Sequence, residues 1–228
     1  MIDHEQDLAS VREATERLLT AAATLDNAAT AAPSRLPGWS RGHVLAHLAR
    51  NADALVNVLE GRPMYVDART RDADIERDAP RPLADQLADV RNASDRFQRS
   101  AAVPADWSRV ITMRNGVTDV AARVPFRRWI EVELHHADLG LGYGPEDFPE
   151  EFTAREIGFL AERFAGNPDI PPLALAASGG GDWRTGGPEG APRSVTGPAS
   201  DLLAWLAGRR DGAALECSGG PLPVLPPL

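Results

Sequence analysis

Lysine is missing from this chain: all 24 of its basic residues are arginines. Without a lysine amine there is no Schiff base to a carbonyl substrate, no pyridoxal phosphate linkage and no P-loop cation. Cysteine is almost missing too, and the single Cys217 in "ECSGGP" excludes an intrachain disulfide and a cysteine metal cluster. An ordinary small residue of a strand or turn is expected there. Positive charge is in deficit, with 24 basic against 33 acidic residues and a formal net charge of −9. Nothing in that balance attracts a phosphate backbone or an anionic lipid surface, so no nucleic-acid or membrane partner is expected. Long apolar runs are absent as well, none approaching the ~18–20 residues of a membrane span. The start, "MIDHEQDLAS", is acidic where a secretory leader is basic and then apolar, so a cytoplasmic protein is expected.

What is present suits a packed core: 43% of the 228 residues are hydrophobic. Leu8, Val11, Leu18, Leu19 and Ala22 recur at helical spacing and predict a first helix over 7–25. A second opens at Ser40, a suitable N-cap, and carries Val44, Leu45, Leu48, Ala52, Leu55 and Leu59 on one face until Gly61 ends it. The polar stretch 62–82 reads as a long connection, with a functional or capping role because of its length. A third helix is predicted from Pro82 to Ala101, and a two-stranded excursion around Asn115-Gly116. Pro125 starts a fourth helix that Gly140 or Gly142 ends. Four such helices make an up-and-down bundle. After a helix at about 154–164 the texture turns rich in Gly and Pro, with short strands expected at "LALAA", "DWRTG", "RSVTG" and "AALECSG" and a helix at 199–208. The expected fold class is α+β: a helical domain over 1–150 and a smaller α/β domain over 151–228.

Within the fourth helix, "RWIEVELHHADLG" places two glutamates and two histidines in six consecutive positions. Residues four apart share a helix face, so Glu131 and His135 can meet on one ion, while His136 points about 100° away. His43 and His47, also four apart, lie on the flank of the helix that Ser40 opens. If His47 joins Glu131 and His135, the three form a His₂Glu set with positions left open, the pattern of a catalytic rather than a closed structural zinc. The competing reading makes all of them solvated or hydrogen-bonded flank residues, with His43 serving the helix end.

The segments "LPGWSRGHVLAHLARNADAL", "GRPMYVDARTRDADI", "WIEVELHHADLG" and "GPASDLLAWLAGRRDG" resemble the mycothiol-dependent maleylpyruvate isomerase family of the DinB-like metal-binding superfamily, over nearly the whole chain. The resemblance implies a DinB-like four-helix bundle and a metal, zinc or another divalent ion, held by His47, Glu131 and His135. It also implies an essential arginine at the C-terminal Gly-Arg step. Arg209 stands there, with Arg210 as an additional basic neighbour; the competing reading for both is a charge that complements the end of a helix.

The chemistry so implied uses mycothiol as a thiol cofactor and acts on a small-molecule substrate; apart from the resemblance, a monomer is expected. A thiol near pKa 8.5 is mostly protonated at neutral pH, and a divalent metal deprotonates it. Addition of the thiolate to the cis double bond of maleylpyruvate, rotation and expulsion of the thiol give fumarylpyruvate. Arg209 would hold a carboxylate or the enolate formed on addition. A mycothiol S-transferase would share the metal and the thiol but consume the thiol. A metal- or thiol-binding module would turn nothing over.

Overall fold

The computed structural model describes residues 2–103 and 105–227. Its chain forms two compact units, Met1–Gly142 and Tyr143–Leu228, and the α+β class is borne out. No helix among the described residues is long and apolar enough to cross a membrane.

The first unit is helical. Helix α1 (His4–Ala22) begins three residues earlier than the apolar pattern suggests, because the Asp3 carboxylate accepts from the Gln6 N–H and caps it. Its buried stripe runs through Val11, Ala14, Leu18 and Ala22. A short α2 (Asn27–Ala31), capped by Asp26, was not expected from the sequence. Helix α3 (Arg41–Leu59) starts at Ser40 as predicted, with the Ser40 hydroxyl accepting from the His43 N–H. The stretch 62–82 departs from expectation, since its middle is a helix, α4 (Ala68–Asp78). Asp67 caps α4 by accepting from Thr70, and Ile75 anchors it in the core. Helix α5 (Leu83–Ala101) has no side-chain cap of its own, and the Asn27 amide oxygen accepts from its first N–H. Strands β1 (Val110–Thr112) and β2 (Thr118–Val120) pair antiparallel around Asn115 and Gly116. Both turn residues have positive φ, 59° and 74°, which is why an Asn-Gly pair sits there. Helix α6 (Val124–Asp138) has Pro125 in its first turn and ends before Gly140.

Helices α3 and α6 each pack against their neighbours so that the four long helices close in the order α1, α5, α3, α6. Leu45, Leu48 and Leu55 of α3 are at most 1% exposed, each contributing about 1.5–3 kcal/mol through burial. Helix α4 lies on α3 at Gly42, where a Cβ would stand 2.2 Å from the Ala79 carbonyl oxygen. Glycine at that position lets the end of α4 approach the α3 backbone.

The second unit contains α7 (Glu150–Phe164), β3 (Leu173–Ala177), β4 (Asp182–Thr185), β5 (Arg193–Gly197), α8 (Ala199–Leu206) and β6 (Glu216–Ser218). Helix α7 begins earlier than its apolar pattern, with Glu150 and Glu151 in the first turn complementing the helix dipole. The sheet order is β4-β3-β5-β6, with β3 and β5 parallel and both outer pairs antiparallel. Leu173, Leu175, Val195, Leu202 and Leu203 form the core between this sheet and α8. Cys217 lies on the edge strand β6, half-buried.

Candidate metal centre

Helices α3 and α6 bring the site together. The Ser40 cap fixes the phase of α3, which turns His47 inward to 5% exposure beside Leu48. On α6, Arg128 is 1% exposed, and its guanidinium donates to the Leu48 carbonyl (3.0 Å) and the Asn51 side-chain oxygen (2.8 Å) of α3. This tie holds α6 against α3 one turn before Glu131. Burial lowers the Arg128 pKa to about 10, which leaves it charged at neutral pH.

Glu131 and His135 stand one turn apart on α6 and face His47. His47 Nε2 is 2.9 Å from Glu131 Oε2, and His135 Nε2 is 3.4 Å from the same oxygen. The three donor atoms all lie within 4.8 Å of one another. A tetrahedral ion with ligand bonds of about 2.0–2.2 Å separates its donors by roughly 3.4 Å, so the spacing fits one ion. The side chains of His47 and His135 are 7% and 12% exposed and that of Glu131 is 32% exposed, so the cluster opens toward solvent on its carboxylate side. Two imidazoles and a carboxylate suit zinc or a similar divalent cation.

The neighbours of the trio prepare it electrostatically. Asp138, 2% exposed, accepts from His135 Nδ1–H at 2.8 Å, which orients the ring with Nε2 on the Glu131 side, the nitrogen available to a cation. Burial pushes His47 down to about 4 despite its bond to Glu131, so this imidazole is neutral at physiological pH. His135 moves the other way: burial lowers it, but hydrogen bonds to Asp138 and Glu131 outweigh that and raise it. Burial pushes the Glu131 carboxyl up, and its bonds to His135 and His47 more than offset this, leaving it well below the usual carboxylate range. The cluster thus favours the ionised form of Glu131 and makes His135 more basic. A divalent cation bound there must displace any proton held by a ligating nitrogen.

The other residues singled out in the sequence separate from this trio. His43 serves the helix end, its Nδ1 lying 2.7 Å from the Ser40 hydroxyl and its Nε2 3.3 Å from Glu76. His136 is buried outside the trio, and Glu133 pairs with Arg17 at 2.6 Å. In the second unit, Arg209 follows α8 and donates from Nη1 to the Ala207 carbonyl at 2.8 Å. Arg210 is held by two carboxylates, Glu146 at 2.5 Å and Asp201 at 2.8 Å. Sequence reasoning assigned no role to Asp138, Arg128, Tyr65 or Arg71. Only Asp138 left a readable signal, its i,i+3 spacing from His135. Arg71 reaches the site from α4, with Nη2 3.3 Å from His47 Nδ1.

Residues 11–140 match the mycothiol maleylpyruvate isomerase N-terminal domain, and residues 147–227 match the MDMPI C-terminal domain. Among solved structures, the chain is similar to the mycothiol-dependent maleylpyruvate isomerase at 24% identity, with a TM-score of 0.85 over 99% of this chain and 97% of that one. A histidine-to-alanine mutant of that isomerase gives 24% identity and a TM-score of 0.84 over the same shares. No match was found among curated proteins. At this identity the structural likeness speaks for the fold, while the two domain matches cover the helical unit with its metal-type trio and the sheet-bearing unit in the same order. The chain belongs to the mycothiol maleylpyruvate isomerase family.

Proposed function

We propose that this chain catalyses the mycothiol-dependent cis–trans isomerisation of maleylpyruvate to fumarylpyruvate, with zinc or another divalent cation held by His47, Glu131 and His135. The observation that carries the reading is the convergence of those three donor atoms within 4.8 Å in a member of this family. When bound, the cation and the thiol together supply a nucleophile at neutral pH that interrupts the substrate's double bond and is then returned.

The chain's own residues set the conditions for that chemistry. His47 offers a lone pair because burial keeps it neutral, and Asp138 fixes His135 in the tautomer that presents Nε2. Glu131 contributes negative charge between them and forms the exposed rim of the cluster. Arg128 anchors the helix that carries both α6 ligands. Arg209 is assigned to the substrate's carboxylate or its enolate, a role suited to a planar and permanently charged donor. The neighbouring Arg210 is paired with Glu146 and Asp201. The reading carries a cytoplasmic monomer acting on small molecules, without nucleic-acid or membrane partners. A net charge of −9 and a lone cysteine support that setting.

The test follows the thiol. Maleylpyruvate conversion by the zinc-loaded protein should leave the mycothiol titre unchanged over many turnovers. Stoichiometric loss of the thiol would instead make the protein a transferase, and binding without turnover would make it a module.

A further inference from the structure

The two histidines of the trio differ in what faces their outer nitrogen. At His135 the partner is an acceptor, the Asp138 carboxylate, which is the arrangement a metal-binding imidazole requires. At His47 it is a donor: Arg71 Nη2 lies 3.3 Å from Nδ1. A guanidinium carries only N–H donors, so Nδ1 must present its lone pair and Nε2 its proton, directed at Glu131. A cation on Nε2 requires the opposite tautomer, with the proton on Nδ1. Two donors would then face each other, so cation binding and the Arg71–His47 hydrogen bond exclude one another. Arg71 is therefore not there to orient a metal ligand.

We propose that Arg71 is a carboxylate clamp at the mouth of the metal centre, released from His47 when the cation binds and then taken up by one carboxylate of the dianionic substrate. The proposal rests on the metal reading above and extends it to a substrate-binding residue. Three features support it. The Arg71 side chain is 13% exposed, so its charge is partly desolvated and yet reachable. Its acidic partner, Asp72 at 2.6 Å, is 62% exposed, and an ion pair so placed is worth little and exchanges easily with another carboxylate. The guanidinium lies over the Tyr65 ring, 5.9 Å from its centre, which restrains it on the side of the cluster. Arg128, close by on α6, is 1% exposed and committed to α3. A cis dicarboxylate carries two anionic groups, and bidentate donors match each of them.

The experiment compares zinc-loaded wild-type protein with Arg71→Met and Arg71→Lys. Maleate, a cis dicarboxylate, is titrated by calorimetry, and zinc affinity is measured by competition with a chromophoric chelator. Loss of a charge-assisted contact should weaken maleate by roughly 10- to 100-fold in Arg71→Met, with partial recovery in Arg71→Lys. Zinc affinity in Arg71→Met should be unchanged or higher, since the competing donor at His47 is gone. Equal maleate affinity in wild type and Arg71→Met, or no maleate binding to either, would overturn the clamp and leave the metal reading standing. Loss of zinc in Arg71→Met would overturn it as well, making Arg71 a structural support. Failure of the wild type itself to take up zinc would overturn the metal reading and the clamp together.

Discussion

Replacing Asp138 by asparagine should weaken zinc binding by about 10- to 100-fold, or roughly 1.4–2.8 kcal/mol, without unfolding the helix that carries it. The carboxylate is 2% exposed and 2.8 Å from His135 Nδ1, so its charge acts on the imidazole with little screening. An asparagine oxygen can still accept from Nδ1–H, which preserves the ring orientation and removes only the charge that makes Nε2 a strong donor. The assay is chelator competition at pH 8, beside a thermal melt of the metal-free protein. A second measurement at pH 6 checks the sign. Asp138 raises the His135 pKa, so the wild-type imidazole must give up a more tightly held proton before it can bind a cation. The advantage of the wild type should therefore shrink as pH falls. Wild-type zinc affinity at pH 8 in a variant with a wild-type melt would refute the role assigned to Asp138.

Gly42→Ala drives a Cβ to 2.2 Å from the Ala79 oxygen and should cost about 1–3 kcal/mol, visible as a lowered melting temperature of the metal-free protein. His47 titrates at about 4 in the folded chain against an ordinary 6.5, so between those values the unfolded chain binds the extra proton. Its contribution, up to about 3 kcal/mol, is fully present above pH 6.5 and lost as pH falls toward 4. Urea denaturation of metal-stripped protein at pH 7 and pH 5 should show a smaller acid loss in His47→Gln than in wild type, and an equal loss would remove His47 as its source. Arg209→Ala should retain zinc and lose turnover. Arg210→Ala gives up two carboxylate partners and should show its effect in the melting temperature instead; a wild-type rate in Arg209→Ala would take that residue out of the mechanism.

Much of the bundle was legible because helix faces repeat in the chain. Val44, Leu45, Leu48 and Ala52 mark the buried side of α3 without reference to any other helix. Helix α4 was not legible: Ile75 is the one large apolar residue among its 11, so its face is set by where Ala79 meets α3 at Gly42 rather than by a pattern. The trio divides along the same line. Glu131 and His135 share a face by spacing alone, whereas pairing them with His47, which is 84 positions away from Glu131, needed the resemblance or the fold. Arg128 looks like any helical arginine until Leu48 and Asn51 surround it. Arg71 likewise sits in a run of acidic and basic residues, and only the approach of α4 to α3 brings it to His47.

The account's central claim is that conversion of maleylpyruvate needs both the external thiol and the cation-holding trio. The most direct measurement is fumarylpyruvate formation by zinc-loaded and metal-stripped protein, each with mycothiol, with glutathione and with no thiol. The account predicts conversion by the loaded protein with mycothiol, and none by the stripped protein or without thiol. Equal rates in loaded and stripped protein, or conversion without any thiol, would contradict it.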